Sequence, residues 1–163
     1  MLISAPDFLP AILNLSGSWN EILDQLYSIF ARDFKSGAVR HRNLKVFFDK
    51  RVLPDGEGKE EGFWHMVSRY DSELGQRLID YRRAERLPWA RPMMENPPRL
   101  EIKVFDYLEG PKDKGIRRYI WLEGYDYVLI LQHRKSAFYW ITAFYIDTGW
   151  KRQDMKRRFE EMS

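Results

Sequence analysis

The second half of the chain is dominated by four runs of strand-forming residues with hardly any chain between them. Each run is rich in β-branched and aromatic residues, which favour strands. The linkers are short and contain turn-forming residues such as glycine, proline and serine. Because linkers this short join neighbouring antiparallel strands, the pattern predicts a four-stranded antiparallel meander. The four runs cover residues 100–108, 117–123, 125–133 and 138–146.

Helical patterns lie on both sides of this predicted sheet. Ser18 followed by Glu21 has the spacing of a capping box, and apolar residues recur beyond it at helical intervals. This predicts a helix over residues 19–34. Prolines at positions 92, 97 and 98 predict an irregular segment there. The remaining predicted elements are a strand at 44–48, short helices at 60–69 and 72–86, and a charged amphipathic helix at 149–162.

Together these elements predict an α+β fold, with N-terminal helices, then a four-stranded antiparallel sheet and a C-terminal helix. The length of 163 residues suits a single domain over residues 1–163, with a helical part over about 1–40. A hydrophobic fraction of 44% indicates a globular chain. With 27 basic and 24 acidic residues the net charge is only +3, so any anion-binding surface must be local.

Several motifs are missing from the sequence. There is no cysteine, which suits a reducing cytoplasm, and a cytoplasmic location is expected. The apolar N-terminus lacks a basic region and is interrupted by Pro6 and Pro10, so neither a signal peptide nor a membrane partner is predicted. His41, Asp49 and Asp55 lack the spacing of metal ligands, and no Gly-rich phosphate loop occurs. Neither a metal nor another cofactor is expected, and the oligomeric state stays open.

Arginines are concentrated in a short span after residue 68. A guanidinium group binds phosphate with a planar fork of donors, and no lysine lies between Lys59 and Lys103. This usage favours phosphate recognition, with Arg69, Arg82 and Arg83 as candidate RNA-binding residues. The alternative is a solvated helix face, paired with Glu73, Asp80 and Glu85. The complete cluster consists of Arg69, Arg77, Arg82, Arg83, Arg86 and Arg91.

Two further side chains within or beside this span could contact RNA. His65 is a candidate general base or acid, because an imidazole exchanges protons near neutral pH and could take the proton of a ribose 2′-hydroxyl. Arg69 follows it by four residues, on one face of the predicted helix. The alternative, a histidine without a chemical task, stays open. Trp89 could stack on a base, although packing of its loop onto the core is favoured for a tryptophan.

The last predicted strand carries two hydroxyl groups that suit a phosphate site. The Thr142 hydroxyl can bond a phosphate oxygen, and the Tyr145 phenol can orient a group or donate a proton. The alternative is ordinary strand composition, because β-branched and aromatic residues are favoured in strands. In a regular strand, residues three apart face opposite sides. The two side chains could therefore serve one site only if the strand contains a bulge or ends before Tyr145.

Three segments resemble a group of bacterial and phage-borne proteins. They are the aromatic–histidine pair Trp64-His65, the segment ERLPWARPMMEN at residues 85–96, and Thr142-Ala143-Phe144-Tyr145 at the end of the last strand. The group in turn resembles the superfamily of metal-independent nucleases that includes barnase, EndoU, the colicin nucleases and RelE. The resemblance covers residues 44–160.

The resemblance implies a ribonuclease with a helical N-terminal part and a four-stranded antiparallel sheet. It implies catalysis by a histidine, basic residues and a hydroxyl on the late strands, which match His65, Thr142 and Tyr145. Arg86 and Arg91 both fit the essential arginine. A toxin of this kind would have an antitoxin or inhibitor protein as its partner.

The sequence therefore favours a metal-independent endoribonuclease whose product carries a 2′,3′-cyclic phosphate. A non-catalytic RNA- or protein-binding module of phage or bacterial origin is the alternative, with His65 incidental. A structural role in phage assembly is a third possibility, with the proline-rich segment as an interaction surface. The single-site hypothesis requires that His65 and the last strand lie on the same side of the fold.

Overall fold

The computed structural model describes residues 5–110 and 115–162. The helices are α1 (Trp19–Phe30), α2 (Glu61–Val67), α3 (Tyr81–Ala84), α4 (Ala90–Glu95) and α5 (Gly149–Met162). The strands are β1 (Val39–His41), β2 (Leu44–Phe47), β3 (Ser68–Asp71), β4 (Gln76–Ile79), β5 (Ile102–Leu108), β6 (Ile116–Leu122), β7 (Tyr127–Arg134) and β8 (Ala137–Tyr145). The fold is of the mixed α+β type, as the sequence predicts.

The main sheet has six strands in the order β1-β2-β8-β7-β6-β5. Strands β5 to β8 form the antiparallel meander that the sequence predicts. The prediction of a purely antiparallel, four-stranded sheet is wrong, because β2 pairs in parallel with β8 and β1 pairs antiparallel with β2. A parallel pair needs a long crossover between its strands. Strand β2 therefore joins a partner some ninety positions later, which local patterns in the sequence cannot reveal.

The predicted first helix begins as its capping signal indicates. The Ser18 hydroxyl accepts a hydrogen bond from the Glu21 N–H at 3.2 Å, and the Glu21 carboxylate accepts one from the Ser18 N–H at 3.4 Å. Helix α1 then buries Ile22, Leu26 and Phe30 on one face. A π-helical turn over Ala31–Lys35 continues it to the predicted end.

The segment between residues 68 and 95 differs from the prediction. The predicted helix over 72–86 is replaced by the β3–β4 hairpin and the short helix α3. In the hairpin turn, the Asp71 carboxylate accepts hydrogen bonds from the N–H groups of Glu73 and Leu74, both at 3.0 Å, and Gly75 has a φ of +64°. These local contacts outweigh the helical spacing of the apolar residues. The predicted order, with all N-terminal helices before the strands, is therefore wrong. Strands β1 and β2 lie between α1 and α2, and β3 and β4 lie between α2 and α3.

Pro92 does not keep its segment irregular either. It is the third residue of α4, within the first turn, where a backbone N–H has no partner inside the helix. A proline there removes no helical hydrogen bond.

Two apolar layers enclose the sheet. On one face, β7 and β8 contribute Leu129, Leu131, Phe138 and Trp140 to a core shared with α1, α2 and α4. On the other face lies α5, whose bounds match the prediction. Its Phe159 ring contacts Phe105 and Trp121, with ring centroids 5.6 Å and 6.4 Å apart. Helix α5 thereby covers the part of this face around β5 and β6.

A buried histidine links β1 to α4 and β6. His41 Nδ1 donates to the carbonyl oxygen of Met94 at 2.9 Å, so its Nε2 is the acceptor for the Arg118 guanidinium at 3.3 Å. Asp106 in turn binds that guanidinium through both carboxylate oxygens. Burial, together with the charges of Arg118 and Arg42, lowers the pKa of His41 to about 4.

This histidine makes the fold sensitive to acid. The unfolded chain binds a proton on His41 near pH 6.5, whereas the folded chain binds it near the lowered pKa. The free energy of unfolding is therefore expected to fall by about 3 kcal/mol as the pH falls from about 6.5 to about 4. This follows from about 1.4 kcal/mol per pKa unit. Urea titrations of the wild type and of His41→Asn across this range isolate the effect. An equal loss of stability in the variant would contradict the assignment.

Candidate active site around His65

Helix α2 places His65 against the last strand. Strand β2 pairs with β8 only as far as Tyr139, and α2 packs beside the part of β8 that follows. The Thr142 hydroxyl donates to the backbone carbonyl of His65 at 3.3 Å, and Arg83 donates to the same oxygen at 2.8 Å. The structure thus brings His65, Thr142 and Arg83 together at one end of α2.

The His65 imidazole itself points to a carboxylate that is held in place. Its side chain is 45% exposed, and Nε2 lies 4.0 Å from the Glu61 carboxylate one helical turn earlier. Arg77 fixes that carboxylate with contacts of 2.9 Å and 2.8 Å to its two oxygens. The Arg77 guanidinium also lies over the Trp64 ring, 5.3 Å from its centroid. The imidazole is therefore accessible to a ligand and sits beside an oriented negative charge.

The segment after β2 adds a second ion pair to this surface. It runs along the first turn of α2, where Gly62 donates to the Asp49 carbonyl at 2.9 Å and Glu61 donates to the Arg51 carbonyl at 2.8 Å. A Cβ at Gly62 would lie 3.0 Å from the Asp49 carbonyl oxygen, so this close approach favours glycine. Arg51 binds the Asp49 carboxylate at 2.6 Å, and its side chain is 72% exposed.

These charges act on the imidazole in opposite directions. Burial lowers the pKa of His65, and Arg77 and Arg51 lower it as well. The Glu61 and Asp49 carboxylates raise it, but they do not offset the other effects. The pKa therefore lies below its ordinary value, and His65 is mostly neutral at neutral pH. A neutral, accessible imidazole can accept a proton.

Arg86 lies apart from this surface, inside the protein. Its side chain is 1% exposed and donates to the Glu85 carboxylate at 2.7 Å and to the Arg82 carbonyl at 2.8 Å. Its guanidinium is held between two rings, 4.5 Å from the centroid of Tyr145 and 5.4 Å from that of Trp89. Arg86 thus presents no donor to a ligand in this structure.

Tyr145 does not join His65 either. The bulge in β8 lies before Thr142, since Ile130 pairs with Thr142 and Leu131 pairs with Trp140. From Thr142 to Tyr145 the register is regular, so the two side chains point to opposite sides of the strand. A bulge is present, as the single-site hypothesis requires, but it is not between the two residues.

The other candidate residues are spread over the surface and the core. Trp89 is buried, and its indole donates to the Pro10 carbonyl at 2.7 Å, so it pins its loop to the core and offers no face to a base. Arg91 donates to the Asp33 carbonyl at 2.9 Å and pairs with Glu95. None of the contacts of Arg91 within residues 5–110 and 115–162 reaches His65 or Thr142.

The remaining arginines divide into exposed and buried side chains. Arg69 lies on β3, not one helical turn from His65, and it is exposed. Arg82 is exposed on α3, 3.6 Å from Glu85. Arg83 is largely buried, and it caps the end of α2 by donating to the carbonyls of His65 and Ser68. The arginine cluster of the sequence is therefore not one continuous surface.

No protein-family model, curated protein or solved structure matches this chain. The site must therefore be interpreted from its own geometry. Across the part of the chain that the structure describes, no three His, Asp or Glu side chains are grouped to hold a metal ion. No described helix is long and apolar enough to cross a membrane.

Sequence reasoning missed the charged residues that surround the imidazole. Glu61 carried a usable signal, because it precedes His65 by four residues on a predicted helix. Asp49 and Arg51 carried none, because only the fold brings the segment after β2 against α2.

Proposed function

We propose that the protein is a metal-independent endoribonuclease in which His65 exchanges the protons of the reaction. The observation that carries the proposal is the accessible, neutral imidazole beside the fixed Glu61 carboxylate, with guanidinium groups of Arg77 and Arg51 nearby. This arrangement combines a proton acceptor, an orienting carboxylate and positive charge, which phosphodiester cleavage without a metal requires.

The chemistry follows from these groups. His65 takes the proton of a ribose 2′-hydroxyl, and the 2′-oxygen forms a bond to the adjacent phosphorus. The bond from phosphorus to the 5′-oxygen breaks, and the imidazolium returns its proton to that leaving oxygen. The products are a 2′,3′-cyclic phosphate and a 5′-hydroxyl. The imidazole ends neutral, ready for another cycle.

The neighbouring residues divide the supporting tasks. Arg51 is the exposed cation, and we assign it to the phosphate, whose charge increases in the transition state. Arg77 orients Glu61, which in turn orients the imidazole. Thr142 is a positioning residue, because its hydroxyl holds the end of α2 through the His65 carbonyl. In this proposal Arg86 and Tyr145 pack the fold and do not touch the substrate.

A non-catalytic RNA- or protein-binding module is the second candidate. It is favoured by one observation, that Arg51 and Arg77 are each already paired with a carboxylate. Such pairing reduces the positive charge available to a transition state.

Incubation with structured and unstructured RNA in EDTA separates the two candidates. The nuclease is expected to cleave RNA under these conditions. Binding of RNA without cleavage, by folded protein over a range of pH, would support the binding module instead.

The pH dependence of cleavage tests the role of Glu61. Its negative charge raises the pKa of His65, so Glu61→Gln is expected to lower that pKa further. The acidic limb of kcat/KM should then move to lower pH by about one unit. Glu57→Gln, an exposed change in the turn before α2, is the matched control. An acidic limb that stays in place, or moves to higher pH, would contradict the pairing.

A further inference from the structure

One row of side chains crosses five strands of the main sheet. The register pairs Phe47 with Tyr139, Tyr139 with Gln132, Gln132 with Arg117, and Arg117 with Tyr107. Residues that lie directly opposite in a sheet share a face. These five residues, here called the platform, therefore lie on one face, and Tyr107 shows that it is the face on which α5 packs.

Helix α5 covers only the Tyr107 end of the platform. All five side chains are at least partly exposed, and Tyr139 is 39% exposed. The rings of Phe47 and Tyr139 lie side by side, with centroids 5.6 Å apart. Arg158 of α5 reaches only the far end, where it lies over the Tyr107 ring. Among the described residues, the result is a partly exposed strip of aromatic rings with polar groups between them.

The arginines of the His65 surface are paired with carboxylates, whereas within the described part of the chain the cations of this strip are not. Arg117 and Arg134 both donate to the Gln132 amide oxygen, at 3.2 Å and 3.4 Å. Arg134 also lies over the Tyr139 ring, and Lys45 occupies the next row on the same face. Among the described residues no carboxylate pairs with Arg117, Arg134 or Lys45. These cations are therefore available to an anionic partner.

We propose that the platform binds single-stranded RNA. Bases stack on exposed aromatic rings regardless of their identity, and guanidinium groups without a carboxylate partner bind the phosphates between them. Four inter-strand spacings of about 4.8 Å give the platform a length of about 19 Å. That length accommodates roughly five stacked nucleotides at about 3.4 Å each.

A groove extends from the platform to Asp49, in the segment that runs along the first turn of α2. It has a volume of about 450 Å³, and its lining includes Phe47 and Tyr139 of the platform as well as Asp49. The Asp49 carboxylate lies close enough to His65 to raise its pKa. In this proposal, a strand bound on the platform continues along the groove toward the imidazole. The inference rests on the proposed ribonuclease for the fate of the bound strand, but binding is measurable without cleavage.

The test uses a short, fluorescently labelled strand of 2′-O-methyl RNA, which lacks the attacking hydroxyl. Tyr139→Ser is expected to weaken its binding, measured by anisotropy, by roughly fivefold or more. Arg117→Gln should lower the slope of log affinity against log salt by about 0.7. Tyr81→Ser, which removes an exposed tyrosine on α3, is the matched control. Thermal melts verify that each variant is folded.

The outcomes separate this inference from the proposed function. No binding at low salt, or equal binding by wild type, Tyr139→Ser and Arg117→Gln, would overturn the inference. An equal loss in Tyr81→Ser would place the RNA elsewhere and overturn it too. Platform-dependent binding by a protein that cleaves no RNA in EDTA would support the inference and refute the proposed function.

Discussion

Replacing His65 with glutamine is expected to lower kcat/KM for RNA cleavage by about 10²–10⁴-fold, the usual contribution of a positioned acid or base. Glutamine retains a polar side chain but cannot accept and return a proton. The side chain of His65 is 45% exposed, and its contact with Glu61 is long. The change should therefore leave the fold and its melting temperature nearly unaltered.

His133 provides the matched control for this experiment. It is the second exposed histidine of the chain, on β7, and its ring stacks on Phe138 with centroids 4.7 Å apart. His133→Gln is expected to cleave RNA at the rate of the wild type. Equal losses in both variants would indicate a general effect of histidine removal and would contradict the role given to His65.

Replacing Arg86 with alanine is expected to destabilise the protein by about 3–5 kcal/mol. The change empties the space between the Trp89 and Tyr145 rings and leaves the Arg82 carbonyl without its donor. It also removes the closer of the two guanidinium groups that pair with the Glu85 carboxylate. Urea titration at neutral pH measures the loss.

Two further variants separate the structural role of Arg86 from a catalytic one. Arg82→Ala removes an exposed neighbour and should change the free energy of unfolding by no more than about 0.5 kcal/mol. Arg86→Met refills the space with an apolar chain, and a folded variant should cleave RNA at nearly the wild-type rate. A folded Arg86→Met protein without cleavage would show that the arginine acts in the reaction.

The meander could be predicted because its information is local. Strands β5 to β8 are rich in β-branched and aromatic residues and follow one another through short linkers, and the Ser18–Glu21 box marks the start of α1. The parallel pairing of β2 with β8 could not be predicted in this way. It depends on side chains that meet across a long crossover, and the short strand β2 carries no sign of its partner.

The candidate site, like the fold, could be predicted only in part from the sequence. His65 and the last strand lie together, as the single-site hypothesis requires, and the Thr142 hydroxyl joins the strand to the His65 backbone carbonyl. Arginines that look alike in the sequence differ in exposure. Arg82 is exposed, whereas Arg86 is enclosed by two rings. A run of arginines does not show which of them faces solvent, since that depends on the hairpin and turns that precede it.

The central claim is that His65 assists attack by a ribose 2′-hydroxyl. The most direct measurement is the end-group chemistry of RNA cleaved in EDTA, with a matched substrate that carries a 2′-O-methyl group at each cleaved position. We expect 2′,3′-cyclic phosphate and 5′-hydroxyl ends from the wild type, no cleavage of the methylated substrate, and formation of these ends about 10²–10⁴-fold more slowly by His65→Gln. Cleavage of the methylated substrate, or unchanged cleavage by the His65 variant, would contradict the account.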